Sequence, residues 1–158
     1  MNFFNLIPAE LIVFAVGASP ISELRGAIPL ALGVYSFSAG KALLISFLGN
    51  LLPAIILLWA LGPVSGYLIR KSPLAEKFFT WLFARTRHKF TGNYERLGEL
   101  ALLVFVAIPF PITGVWTGSI AAFLFGIPKR RALVLISGGA LVAGLIVTLA
   151  SLGVLQLF

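Results

Sequence analysis

Two ionisable residues stand where a hydrophobic chain has least use for them. In the stretch SPISELRGAIP, residues 19–29, Glu23 and Arg25 are two positions apart, with apolar sequence on either side. A carboxylate can take up and release a proton. A guanidinium keeps its charge and presents a planar fork suited to carboxylate or phosphate. The pair could equally serve structure, by closing a turn, capping helix ends or snorkelling to interfacial water. Other polar side chains that could join them are sparse: Asn50 in FLGNLLP, and Thr113, Trp116, Thr117 and Ser119 in PITGVWTGSI. An amide such as Asn50 in mid-helix more often bonds to a neighbouring helix than to a substrate.

The inventory excludes several chemistries. The chain has no Cys, no Asp and a single His, His88. A thiol nucleophile, a disulfide or a Cys metal site is therefore impossible. A Ser–His dyad needs a histidine beside the membrane sequence, and His88 lies in the basic run RTRHKF. Metal binding needs clustered His, Asp or Glu, and only one Glu lies deep in apolar sequence. The expectation is a non-enzyme without cofactor or metal.

The elements that must position Glu23 and Arg25 follow from hydropathy. The 158 residues are 59% hydrophobic and only 11% charged, with mean hydropathy +1.05. Soluble domains carry roughly 25% charged residues, so the chain reads as a membrane protein. Its net charge of +7 lies between apolar segments, which points to membrane surfaces and not to nucleic acid. The N-terminus lacks a basic segment and a clear cleavage site, so no removable signal peptide is expected.

Charge-free runs cover residues 42–69, 100–128 and 132–158, with a shorter one at 11–22. Residues 42–61 and 132–152 read as ordinary spanning helices, the first with Pro53 as a possible kink. The other two runs are interrupted, by SPISELRG and by IPFPITGVWTG. In the second, Pro109 and Pro111 remove backbone donors, and Gly114 and Gly118 weaken helix. Arms of about ten residues reach roughly 15 Å, half of a roughly 30 Å bilayer core. Each interrupted region is therefore expected to be a re-entrant hairpin.

PIS at 20–22 and PIT at 111–113 are 91 residues apart, and ALLISFLG at 42–49 and ALVLISGG at 132–139 are 90 apart. Common order and offset predict an internal duplication. Charge selects the topology. If both interrupted regions are re-entrant, ten of the twelve basic residues share one face, leaving Lys41 on the other. The positive-inside rule makes that face cytoplasmic, with both termini outside. The predicted fold is thus an all-α integral membrane domain: an inverted repeat (1–61 and 99–158), each half a re-entrant helical hairpin followed by a spanning helix. The linker, 62–98, is basic. Within it Leu74, Phe78, Trp81, Leu82 and Arg85 keep helical spacing, as in an amphipathic helix on the inner surface. A soluble packing helix is the plainer alternative.

ISELRGAIPLALG together with PFPITGVWTGSIAA resembles the prokaryotic small multi-drug export family, over essentially the whole chain. More remotely, the paired hairpins are similar in architecture to the DedA/VTT superfamily, whose members are associated with lipid translocation. The longer acidic and arginine motifs of DedA are incomplete here, so none of its functional residues is carried over. The resemblance implies a small exporter in a prokaryotic cytoplasmic membrane.

Inverted repeats, broken midplane segments and a buried ionisable pair are usual parts of secondary transporters. The expected activity is export of amphipathic or anionic small molecules, proton-coupled through Glu23 with Arg25 beside it. Thr113, Trp116, Thr117, Ser119 and Asn50 would line the substrate path. The alternative is a lipid translocase or scramblase for phosphate headgroups. Expected partners are membrane lipids, the transported small molecule or lipid, and a second copy in a homodimer, with GGALVAGL at 138–145 as a candidate interface.

Overall fold

The computed structural model describes residues 7–87, 93–110 and 113–155. All regular structure among them is helical: α1 (Ala9–Ala18), α2 (Glu23–Gly33), α3 (Ala39–Lys71), α4 (Pro73–Arg87), α5 (Asn93–Ala107), α6 (Val115–Leu124) and α7 (Lys129–Leu155). Pro111, His88 and Lys89 lie outside the described residues.

Helices α3 and α7 are long and apolar enough to cross a membrane. Helix α3 extends ten residues beyond the predicted end at 61, to Lys71, and runs unbroken through Pro53 and Pro63. At 33 residues it is roughly 50 Å long. Its inward face is small or polar: Ala42, Ser46, Gly49, Asn50, Pro53 and Ala54 are buried. Its outward face carries Leu44, Leu48, Ile55, Ile56 and Trp59, all exposed. Large apolar side chains outward and small ones inward is the pattern expected where lipid is the solvent and close backbone approach holds helices together.

The short helices form two pairs. Helix α1 stops at Ala18, the chain turns through Ser19–Ser22, and α2 begins at Glu23. Glu10 near the start of α1 then meets Lys41 near the start of α3 at 2.6 Å. The chain has gone out along α1 and come back along α2. The second pair, α5 and α6, does the same: Glu99 on α5 meets Arg131 at the start of α7 at 3.2 Å. These two ion pairs are 89 and 90 residues apart in sequence.

The same register runs through the packing. The seven buried residues of α7, from Ala132 to Thr148, each lie 90 after a buried residue of α3, from Ala42 to Leu58. In α6, Val115, Gly118, Ser119 and Ala122 lie 91 after Leu24, Ala27, Ile28 and Ala31 of α2, all buried. Leu102 and Val106 on α5 lie 89 after Val13 and Gly17 on α1, again buried. The contacts agree. A β-carbon on Gly49 would strike the Phe14 carbonyl oxygen, and one on Gly139 would strike the Leu103 carbonyl oxygen. Each long helix thus needs a glycine where the first helix of its pair crosses it.

The two long helices run antiparallel. Gly144 faces Leu43, whereas Gly62 faces Lys129. The Glu10–Lys41 and Glu99–Arg131 pairs consequently mark opposite ends of the bundle. The small residues of 138–145 do not form an open surface. Gly139, Ala140, Ala143 and Gly144 are buried within the chain, against Leu103, Val106, Leu43 and Leu24 among others.

Helix α4 leaves Leu74, Phe78 and Trp81 exposed, with Glu76 and Lys77 exposed beside them. The side chains of Leu82 and Arg85 lie outside the described residues.

Candidate functional site

The two tips meet at Glu23. Its side chain is buried, 6% exposed, and reaches from the start of α2 to the start of α6. There Oε1 accepts a hydrogen bond from the Trp116 backbone N–H at 3.4 Å, and the Val115 N–H faces the same carboxylate. The first amides of a helix have no partner within it and carry the positive end of its dipole, so a carboxylate suits them. Gly114 makes the approach possible, because a β-carbon there would overlap the Glu23 carboxyl group. Gly114 lies 91 residues after Glu23, the same offset that relates the buried faces of α2 and α6. One half supplies the carboxylate and the other supplies the gap that receives it.

Contact runs in both directions. The Trp116 indole Nε1–H donates to the Ala18 carbonyl at 3.2 Å, satisfying an open carbonyl at the end of α1. Each tip therefore caps a helix of the other. Glu23 also has positive φ, 46°, a conformation that costs a residue with a β-carbon energy and persists only where the surroundings enforce it. Arg25 lies 3.8 Å from Glu23 Oε2, with its side chain 22% exposed. This is a loose pairing, and the guanidinium is the more exposed partner.

A cavity of about 10 Å³ lies beside the carboxylate. Its lining includes Glu23, Arg25, Asn50, Thr113, Gly114 and Ala140. Such a volume holds about one water molecule. Asn50 is 1% exposed, and its Oδ1 has no hydrogen-bond partner. Thr113 Oγ1 donates to the Ile108 carbonyl at 2.6 Å and accepts from the Phe110 N–H at 3.2 Å, holding the turn after α5.

Four of the seven residues singled out by sequence, Glu23, Arg25, Asn50 and Thr113, line this one cavity. Trp116 joins through its backbone and its ring. Thr117 and Ser119 are not in the lining: Thr117 Oγ1 donates to Gly114 O at 3.4 Å, and the buried Ser119 Oγ donates to Val115 O at 2.7 Å. Two residues escaped sequence reasoning. Gly114 read only as a helix breaker, though its spacing from Glu23 equals the repeat offset. Ser46, fully buried with an unpartnered Oγ, lies one helical turn before Asn50 on the same face, a spacing visible in the sequence.

The sequence profile described as "Putative small multi-drug export protein" matches residues 23–146. The chain belongs to this small multi-drug export family. The match begins at Glu23 itself and takes in α2 to α6 and most of α7. No curated protein and no solved structure matches the chain. Membership of a membrane export family, with two long apolar helices, makes it a membrane protein.

The cavity lies at the same height on both long helices. Asn50 and Ala140 each lie eleven residues after the first residue of their long helix, Ala39 and Lys129. Eleven residues of helix rise roughly 16 Å. Basic residues mark both helix starts, Lys41 on α3 and Lys129–Arg131 on α7, so the cavity lies well away from either basic end.

Proposed function

We propose that the protein is a small secondary exporter in which Glu23 is both the proton acceptor and the latch between two re-entrant hairpins. In this reading the two halves form an inverted repeat across the membrane. The shared burial register, the antiparallel long helices and the return of each helix pair to its starting end support it. The basic ends of α3 and α7, together with α4, face the cytoplasm by the positive-inside rule, and both termini face outward. The exposed apolar side chains of α4 suit a helix lying in the inner interface. The membrane is the cytoplasmic membrane of a prokaryote.

One observation carries the proposal: an ionisable carboxylate, not a neutral group, joins the tips, and in this reading it lies near the midplane, where ionisable groups are costly and usually kept for function. With Glu23 ionised, its charge is attracted to the open amides of α6 and holds the tips together over a cavity for one water. Protonation removes that attraction, and the tips can part to admit substrate. Arg25 keeps its charge when Glu23 is neutral and can then hold an anionic group of the cargo. The cargo class is amphipathic or anionic small molecules, in keeping with the family's name. A homodimer is part of this reading, since one copy encloses little space.

A second reading, a lipid translocase, draws on a different feature. An apolar cleft of about 340 Å³ between α5 and α6, lined by Gly98, Ala101, Leu102, Phe105, Ala121 and Phe125, lies next to Glu99 and its partner Arg131. An acyl chain fits there with its headgroup at the basic face.

Reconstitution separates the two. Vesicles containing the protein should move amphipathic dyes only under an imposed pH gradient, and dye addition should dissipate that gradient. Anionic lipid equilibrating without any gradient, and stopping in Arg25→Ala, would replace the exporter with the translocase.

A further inference from the structure

We infer that, while the tips are closed, Glu23 exchanges protons with one side of the membrane only, the side of the Glu10–Lys41 pair, along a path through Asn50 and Ser46. This rests on the reading of Glu23 as a proton acceptor and adds a route and a direction to it.

Two buried oxygens carry the inference. Asn50 Oδ1 and Ser46 Oγ are 1% and 0% exposed by residue, and neither has a partner in the protein. Burying a polar atom unpaired is costly. Buried hydroxyls elsewhere in the described residues avoid that cost by bonding back along their own helix: Ser119 to Val115 O at 2.7 Å and Thr148 to Gly144 O at 2.7 Å. Ser46 and Asn50 are one turn apart on the same face of α3, so their side chains are neighbours. Asn50 opens onto the cavity that Glu23 lines, whose size suits a single water.

The repeat supplies the direction. The counterparts of Ser46 and Asn50 in α7 are Ile136 and Ala140, both buried and both apolar. From the cavity, α3 therefore offers unpartnered acceptors toward its own start, whereas the buried face of α7 offers none toward the opposite end; its half-buried Ser137 is bonded back to Leu133 O at 2.6 Å. Ser46 lies seven residues from the start of α3, roughly 10 Å. Ala42, one turn further out, presents only a methyl group. Glu23 has one charged neighbour in the cavity, Arg25 from its own helix. The lining residues from α3, α5, α6 and α7 carry no other ionisable side chain.

Water held by Ser46 Oγ and Asn50 Oδ1 carries the proton. Each water passes one proton forward and takes one from behind. The net change is one proton from the outer solution onto a Glu23 carboxylate oxygen, giving the neutral acid. With the tips closed, release reverses the same steps; release to the opposite side waits for the tips to part.

The test is infrared difference spectroscopy on proteoliposomes of uniform orientation, with pH stepped on one side at a time. The Glu23 carboxyl band is identified by its disappearance in Glu23→Gln. It should follow pH on the Lys41 side. Asn50→Leu and Ser46→Ala should each slow its response to a pH step or to D₂O at least tenfold, and Asn50→Ser should restore most of the rate. Thr148→Val should leave it unchanged. If Asn50→Leu fails to fold, Ser46→Ala alone decides, since it removes one oxygen. A band that follows pH on the side of Lys129–Arg131, or unchanged rates in Asn50→Leu and Ser46→Ala, overturns the path but leaves proton coupling standing. A band insensitive to pH on both sides overturns proton coupling and the path together.

Discussion

Replacing Glu23 by Gln separates a latch that titrates from a clasp that only holds. Gln preserves length and shape, and its carbonyl can still accept from the Trp116 N–H that Oε1 accepts at 3.4 Å. What changes is charge. A hydrogen bond to a charged group contributes about 1.5–3 kcal/mol, against about 1 kcal/mol for a neutral one. The long distance argues for the low end of that difference. The Arg25 contact, at 3.8 Å with a partly exposed guanidinium, contributes little more. Glu23→Gln should therefore cost about 1 kcal/mol, less than a factor of ten in a folding equilibrium. Glu23→Leu also leaves the Trp116 and Val115 amides without an acceptor, at about 1–3 kcal/mol for each buried group, and should cost about 2–6 kcal/mol.

Unfolding in mild detergent reads these losses, and gradient-driven flux in vesicles reads activity per folded molecule. A titrating latch predicts a mismatch: Glu23→Gln is nearly as stable as the parent but loses at least 100-fold in coupled flux. A clasp predicts that activity tracks stability, with Gln close to normal and Leu impaired. Normal coupled flux in Glu23→Gln would refute the reasoning outright.

Other perturbations probe the frame. Gly114→Ala should separate the tips, since its methyl group would occupy the place of the Glu23 carboxyl group; stability should fall by about 1–3 kcal/mol, measured by the same unfolding assay. Gly49→Leu should be more damaging than Gly40→Leu, because Gly49 meets the Phe14 carbonyl and nothing lies near Gly40; the yield of folded protein reports the difference. Lys77→Cys, in this otherwise Cys-free chain, should resist an impermeant thiol reagent in intact cells and react after permeabilisation; labelling in intact cells would reverse the topology. Arg25→Lys should lower flux with little loss of stability, because an ammonium cannot reproduce the planar fork.

Much of the frame was legible because a membrane chain writes its packing in small residues. ALLISFLG and ALVLISGG share an offset of 90 residues, and Ala42, Ser46 and Gly49 and their counterparts occupy one buried face of each long helix. The breaks were legible too: Ser19–Ser22 separates α1 from α2, and Pro109 and Gly114 lie between α5 and α6. The end of α3 was not, because ten more apolar and glycine-rich residues can extend a helix or leave it. Nor could the sequence tell which polar side chains would turn toward each other. Ser119 and Thr117 look as suitable as Thr113, but hydroxyls within a helix bond to its own carbonyls. The absence of charge in PITGVWTGSI suggests a second tip that closes by itself. The structure shows a shared closure, in which the Glu23 carboxylate caps α6 and Trp116 caps α1. That relation spans 93 residues and has no local signature.

A shared closure also sets how strongly a proton can act on the hairpins. A carboxylate at a helix start contributes about 0.3–1 kcal/mol at the surface and up to about 2 kcal/mol when partly buried. Glu23 belongs at the upper end, since it is nearly inaccessible and faces two open amides. Neutralising it therefore favours parted tips by about 1–2 kcal/mol, a shift of about 5- to 30-fold in their equilibrium. Such a shift is too small to drive the tips fully from closed to open, which needs about 5.5 kcal/mol. The remainder has to come from cargo that binds the parted state better than the closed one. The free Arg25 charge is one source of that preference, because it loses its carboxylate partner in the same step. Proton alone should then leave the cavity mostly closed, and cargo alone should meet an ionised latch. In the exporter proposed above, requiring both would couple the two flows and keep the protein from acting as a proton leak.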